Sequence, residues 1–143
     1  MTLHVRAEPT PNPNAAGNDI TIELPAGDAT RGEALVTSTG CVACHVGPAA
    51  GITAPAWKTA ESKTGTGIAA DAEKRWQEGD YTGAATSTDQ YLFESIVNPN
   101  AFVVPPTAGA SWQATSSLMP GNYGTTLLKQ DVADIIAYLK TVP

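Results

Sequence analysis

The chain has 143 residues, a length that fits one domain of ordinary size. Fourteen acidic residues against eight basic ones give a formal net charge of −6. Without any run of Lys or Arg, this balance argues against binding to nucleic acid or to an anionic membrane surface. Only 6% of the residues are aromatic, while 13 are Gly and 11 are Pro, so large core-forming side chains are few. The composition indicates that something besides these side chains fills part of the core.

The beginning of the sequence carries neither a membrane span nor a recognisable secretory signal. No stretch approaches the roughly 20 apolar residues of a transmembrane helix, and a basic region followed by an apolar run is missing. We therefore expect either a cytoplasmic chain or a mature or truncated form without its targeting segment. Residues 8–19 are rich in Pro and Asn. We divide the chain into residues 1–27, an extended tether or wrapping segment, and residues 28–143, the folded domain.

The first elements are predicted from local patterns. Alternation of Ile20, Ile22 and Leu24 with polar residues predicts a short surface strand. The segment Thr30-Arg31-Gly32-Glu33 has the spacing of a capping box, with Thr30 as the cap. It predicts a helix of about 9–11 residues that ends at Gly40 or continues into the cysteines.

The rest of the chain alternates between loops and helical patterns. Residues 46–87 are mostly loop, with a possible short helix over 71–80 that carries Trp76. Residues 88–97 have apolar residues at helical spacing and end at Asn98-Pro99, which predicts a helix. The strongest periodic signal predicts a last helix that ends near Val142. Its apolar stripe consists of Leu128, Val132, Ile135, Ile136 and Leu139.

The two cysteines occur together as Cys41-Val42-Ala43-Cys44-His45. A thioredoxin-like redox pair would need a neighbouring hydrophobic strand, which the sequence lacks. A zinc site would need further ligands that are hard to find, and a chance occurrence of so short a motif also stays open. Covalent haem attachment is the chemistry for which C-x-x-C-H is the signature. Residues three and four apart share a helical face, so both thiols can reach one porphyrin while His45 faces the iron.

A second axial ligand is predicted by elimination. Electron-transfer haems commonly pair the proximal His with a thioether. The candidate ligands outside the motif are Met1, His4 and Met119, and the first two precede a Pro-rich tether. Met119 stands before Pro120, which fixes the backbone next to the sulfur. A core-filling role is the ordinary alternative for a Met, but the combination with C-x-x-C-H favours ligation by Met119.

With these motifs the sequence resembles the class I c-type cytochromes, which are small all-α monohaem proteins. The resemblance implies three main helices plus loops around one covalent haem c, with residues 28–143 as the cytochrome c domain. It also implies that Gly32 permits close approach of the last helix, with Tyr138 at the crossing. Two segments, 91–105 and 118–124, look like the haem domains of caa3-type oxidases and of alternative complex III.

The resemblance also implies further residues that bind the cofactor. Ala54-Pro55-Ala56-Trp57 is similar to the family loop in which a Pro carbonyl accepts the ring N–H of the proximal His. Trp57 would stand there against the haem edge, and Gly47-Pro48 is the competing loop. Trp112 resembles a family Trp that hydrogen-bonds a haem propionate, although packing against the haem edge is an equal alternative. The insertion over residues 58–87 leaves Trp76, Lys74 and Arg75 without a role.

The resulting hypothesis is an electron carrier with one low-spin haem c, bound by His45 and Met119 at the iron. It would serve a respiratory or photosynthetic chain as a subunit of a membrane complex, or as its electron donor or acceptor. The alternative is a haem enzyme or gas sensor with an open sixth position, which would need a distal acid or base group. Covalent haem implies assembly outside the cytoplasm, so we expect a periplasmic or outer-face location.

Overall fold

The computed structural model describes residues 12–143. Over this range the chain is helical and forms no strand, only three isolated β-bridges. The predicted all-α class is confirmed. The α-helices are α1 (Ala29–Ser38), α2 (Val42–His45), α3 (Ile68–Arg75), α4 (Thr88–Val97), α5 (Tyr123–Thr126) and α6 (Lys129–Leu139). Two short 3₁₀ helices span Gly47–Ala49 and Thr59–Glu61.

Helix α1 begins two residues earlier than a cap at Thr30 predicts, because its cap is Asp28. The Asp28 carboxylate accepts hydrogen bonds from the backbone N–H groups of Thr30 and Arg31, at 3.0 and 3.3 Å. The prediction that Thr30 is the cap is therefore wrong, since an acidic cap already satisfies these donors and complements the helix dipole. The helix ends at Ser38. Gly40 then takes a φ of +84°, which lets the chain turn sharply toward the cysteines.

Helices α3 and α4 lie next to each other and supply one side of the core. The predicted helix over 71–80 is displaced, because α3 ends at Arg75 and Trp76 directly follows it. Helix α4 has the predicted bounds, and Ser87 caps it by accepting a hydrogen bond from Gln90 N at 3.2 Å. Six of the ten residues of α4 are buried, so its apolar face is a main wall of the interior.

Helix α6 packs across α1 and is buried over most of its length. The residue before α6 is Leu128, whose side chain offers the helix no hydrogen bond. The backbone N–H of Leu128 instead donates to the Asp131 carboxylate at 2.9 Å. A carboxylate from the first turn thus satisfies the start of α6.

The segment before α1 lies against the α5–α6 junction, and we call residues 12–17 the strap. Ala16 N donates to Leu127 O at 2.9 Å and Gly17 N donates to Gly124 O at 2.7 Å. Lys129 N donates back to Asn14 O at 2.8 Å. The side chain of Ala16 is buried in the core. The strap is therefore anchored by backbone hydrogen bonds as well as by burial.

The strand predicted over residues 20–24 is wrong. Ile20 and its neighbours form a turn, and no partner segment pairs with them in the described chain. Ile20 is buried, while Ile22 and Leu24 are half-buried against the core. The alternating pattern thus reflects contact with the core rather than strand pairing.

Two predictions from the sequence concern membrane spans and the ligand candidates near the start of the chain. None of the helices between residues 12 and 143 combines the length and the apolar character that crossing a bilayer requires. Met1 and His4, the two rejected ligand candidates, lie outside the described residues.

Candidate haem site

The C-x-x-C-H motif forms a single tight helical turn. Cys44 N and His45 N both donate to Cys41 O, at 3.3 and 3.2 Å. Both cysteines are half-buried free thiols. The Cys41 sulfur lies 3.2 Å from the Thr39 hydroxyl, which fixes the end of α1 next to the motif. The turn brings both thiols and the imidazole of His45 to one cavity.

The orientation of His45 is set by its contact with Pro55. Its ring atom Nδ1 lies 2.6 Å from the Pro55 carbonyl oxygen. A carbonyl can only accept, so Nδ1 carries the hydrogen and Nε2 keeps its lone pair. Burial lowers the pKa of His45, although the Pro55 carbonyl acts in the opposite direction. The imidazole is therefore held neutral, which is the form that binds a metal. The competing Pro48 lies instead in the 3₁₀ helix Gly47–Ala49.

Trp57 supports the same histidine in two ways. Its ring stacks on the imidazole of His45, with ring centroids 4.8 Å apart and an angle of 12° between the planes. Its backbone N–H donates to His45 O at 3.1 Å. Trp57 is buried and His45 is half-buried, so the indole covers one face of the imidazole. These two contacts fix the rotation of the His45 ring, and the position of Trp57 along a haem edge stays a prediction.

The seven residues predicted to bind the cofactor all line one cavity of about 220 Å³. The other lining residues come mainly from α4, α6 and the loop over 99–104. The lining also includes Arg75, Tyr91, Phe102, Val104, Leu118 and Tyr123. The walls are mostly apolar, which is the environment that a porphyrin plane requires. A porphyrin in this cavity would complete the core that the few aromatic residues leave open.

Met119 reaches this cavity from the loop between α4 and α5. It is half-buried, and its backbone N–H donates to Ser117 Oγ at 3.1 Å. Four residues later, the Tyr123 hydroxyl donates to Thr39 O at 3.2 Å. This hydrogen bond ties the loop after Met119 to the residue that precedes the haem motif. The fold therefore fixes the position of the Met119 loop relative to the C-x-x-C-H turn.

The donors around the cavity fit an attached iron porphyrin. Two thiols can form thioether bonds to the porphyrin, and a neutral imidazole with a fixed ring can bind iron. A thioether lines the same cavity and is a typical sixth ligand in electron-transfer haems. No cluster of three or more His, Cys, Asp or Glu side chains that would suit a free metal ion occurs in the described part of the chain.

A comparison with protein families decides the assignment. The family model described as cytochrome c matches residues 29–143. The chain belongs to the cytochrome c family. This cytochrome binds one haem c, covalently attached through Cys41 and Cys44, and haem-based electron transfer is the general activity of its family. No curated protein and no solved structure matches the chain.

Trp112 has a different partner in this cytochrome from the one that the resemblance implies. Its indole N–H donates to Val104 O at 2.8 Å. An indole has only this one donor, so the structure leaves none for a haem propionate. Trp112 is buried and lines the cavity. Its geometry therefore favours the packing alternative over the propionate contact.

Sequence reasoning gave no role in the cavity wall to Arg75 or Tyr91. Arg75 is buried there although the sequence assigned it no role. Tyr91 is also buried, and burial raises the pKa of its hydroxyl while the nearby Arg75 charge opposes that shift. Arg75 follows Glu73 and Lys74 in a polar helix, a pattern typical of a solvent-facing segment. Only the packing of α3 against α4 brings its guanidinium inside.

Proposed function

We propose that this cytochrome is a one-electron carrier whose iron is bound by His45 and Met119. The observation that carries the proposal is that both side chains line one apolar cavity next to the two attachment cysteines. When bound, the haem supplies a reversible Fe(II)/Fe(III) couple. His45 is fixed in rotation by Pro55 and Trp57, while its burial lowers its pKa and favours the neutral ring. A thioether as the second ligand stabilises the reduced iron and raises the potential.

The protein groups around the cavity serve electron transfer rather than catalysis. A carrier needs a cofactor that is shielded from water and changes little between oxidation states. Among the described residues that line the cavity there is no Asp, Glu or second His, so this wall offers no conventional distal acid or base. This arrangement disfavours the alternative of a haem enzyme or gas sensor.

Exposed apolar residues beside the cavity supply a surface for a redox partner. Leu118 is 61% exposed and Ile52 is 45% exposed. The carbonyl of Ile52 accepts hydrogen bonds from Ser111 N and Ser111 Oγ, at 2.7 and 3.0 Å. The loops on which these residues stand are thus tied to the fold. We infer that redox partners dock through apolar contacts on the surface formed by Leu118 and Ile52. The half-buried residues Val46 and Ala49 belong to the same surface.

We infer that the chain serves a membrane complex of the respiratory or photosynthetic type. The support is the resemblance of segments 91–105 and 118–124 to the haem domains of caa3-type oxidases and alternative complex III. Such a protein works on the outer face of the cytoplasmic membrane, where haem c is attached. The net charge of −6 favours solubility, and steering toward basic partner surfaces is its alternative consequence.

The test is optical spectroscopy on protein co-expressed with haem-maturation machinery. A pyridine haemochrome assay reports the c-type attachment, and the ferric near-infrared band reports sulfur–iron ligation. We expect the band in the wild type and in Leu118→Ala, the matched change at the exposed neighbour, and its loss in Met119→Ala. A wild type without the band, or a band that survives in Met119→Ala, would overturn the ligation and favour an open sixth position.

A further inference from the structure

Residues 117–127, which we call the ligand segment, carry Met119 and have few attachments to the rest of the fold. Ser117 N donates to the Asn100 side chain at 2.8 Å, and the Tyr123 hydroxyl supplies the second attachment described above. The only other hydrogen bonds that join this segment to more distant residues of the described chain come from the strap. The position of the ligand segment therefore depends on the strap as much as on the rest of the domain.

The strap binds the ligand segment at two backbone positions. Gly17 N donates to Gly124 O at 2.7 Å, and Ala16 N donates to Leu127 O at 2.9 Å. Gly124 also packs directly against the strap, because a Cβ atom there would stand 2.8 Å from Gly17 O. Ala16 is only 2% exposed, so the hydrogen bond from its N–H group is sheltered from water and stronger than an exposed one.

The backbone that the strap contacts belongs to the wall of the haem cavity. Leu127 lines the cavity, and so does Tyr123, the neighbour of Gly124. Met119 lines the same cavity from earlier in the ligand segment. Only Pro120, Gly121 and Asn122 separate Met119 from Tyr123. A displacement of the strap therefore reaches the thioether through a short stretch of backbone.

The chemistry of the thioether makes its position important. A methionine sulfur is a soft, neutral ligand that favours Fe(II) over Fe(III). Its bond to ferric iron therefore depends on a backbone that keeps the sulfur in place. Once the sulfur has left, a small ligand with a nitrogen lone pair, such as imidazole, can take the sixth position.

We propose that the strap is a latch that keeps the sixth iron position closed. With the strap in place, Met119 stays on the iron and the protein carries electrons. With the strap released, the ligand segment loosens and a small nitrogen ligand replaces the sulfur on Fe(III). The proposal rests on the proposed ligation by His45 and Met119. It gives the residues before α1 a role in the chemistry of the iron as well as in the fold.

The experiment is a titration of the ferric holoprotein with imidazole, followed by loss of the sulfur–iron band. Imidazole binds only molecules whose sulfur has left, so its apparent dissociation constant is inversely proportional to that fraction. Gly17→Ala strains a backbone with a φ of +67°, and Ala16→Asp places a charge at a buried position. We expect each change to lower the dissociation constant by about ten-fold.

Gly65→Ala is the matched control. Gly65 has a φ of +81°, and no atom lies within 4 Å of a Cβ at either Gly65 or Gly17. Both glycines are exposed, so the two substitutions impose a similar backbone strain in different places. We expect Gly65→Ala to bind imidazole as the wild type does, because residue 65 has no contact with the ligand segment.

The results separate failure of the latch from failure of the ligation. A wild-type holoprotein without the sulfur–iron band would overturn both. A wild type that has the band, with an unchanged imidazole affinity in both strap variants, would overturn the latch alone. An equal gain of affinity in Gly65→Ala would also overturn it, because strain anywhere in the fold would then release Met119. If Ala16→Asp does not mature, the comparison of Gly17→Ala with Gly65→Ala decides the question.

Discussion

Gly32 on α1 lies directly against the backbone of Asp134 on α6. A Cβ atom at position 32 would stand 2.0 Å from Asp134 O and 2.9 Å from the Cβ of Tyr138. The two helices therefore cross with no room for a side chain. The resemblance predicted this close approach, with Tyr138 at the crossing, and the structure confirms both.

We expect Gly32→Ala to lower the free energy of unfolding by about 3 kcal/mol, because backbone must move to admit the methyl group. The measurement is denaturant unfolding of the holoprotein. Gly79→Ala is the matched control, since no atom lies within 4 Å of a Cβ there and its φ is not positive. Equal stability of the two variants would show that the helix crossing adjusts freely.

Asp134 links folding stability to pH. It is buried, which by itself would raise its pKa, but hydrogen bonds from Arg31, Asp28 N and Gln130 lower the pKa below the ordinary 3.8. A carboxylate with a lowered pKa stabilises the fold at pH values above its unfolded pKa, and this contribution disappears as the pH falls through the folded pKa. The ionised form is therefore the one that holds α1 to α6.

We expect Asp134→Asn to cost about 3 kcal/mol at pH 7, because it leaves the partners of a buried charge unmatched. Its stability should then fall less than that of the wild type between pH 5 and pH 3, as measured by chemical unfolding followed by circular dichroism. Asp89→Asn breaks the exposed pair with Lys140 and should cost less than about 1 kcal/mol. Parallel pH profiles for wild type and Asp134→Asn would contradict the linkage.

Tyr123 connects the loop after Met119 to the end of α1. Burial raises the pKa of its hydroxyl, so the group remains a donor to Thr39 O through neutral pH. We expect Tyr123→Phe to lower the free energy of unfolding by about 1 kcal/mol. The variant should also lose the sulfur–iron band at a lower denaturant concentration than the wild type. Tyr138→Phe serves as the control at another half-buried tyrosine. Loss of the band at the same denaturant in wild type and Tyr123→Phe would show that this hydrogen bond does not hold the Met119 loop.

A substitution at Trp112 distinguishes a hydrogen bond to a haem propionate from packing against the haem edge. Trp112→Phe removes the donor to Val104 O but keeps an aromatic ring. We expect a loss of about 1 kcal/mol in stability and an unchanged propionate bending mode in resonance Raman spectra. A shifted mode would instead show that the indole contacts the propionate once haem is attached.

Local patterns were enough to predict part of this fold and site. The motif Cys41 to His45 fixes its own geometry within one turn, and α4 and α6 follow from apolar periodicity. The same reasoning failed where distant contacts decide. Ile20 is buried in a turn and Arg75 is buried on a polar helix. In both cases the burial is decided by segments distant in sequence, which local patterns do not reveal. The Asp28 cap was missed because Thr30 offered a plausible alternative two residues later.

The strap also determines which part of the fold first resists a pulling force on the preceding chain. Its hydrogen bonds reach Gly124 and Leu127, only five and eight residues after Met119. Tension on the chain ahead of residue 12 is therefore transmitted first to the α5–α6 junction, before it reaches α1 or the haem motif. If the hydrogen bonds of the strap broke, we expect the loop that carries Met119 to be displaced before α1 or the haem motif.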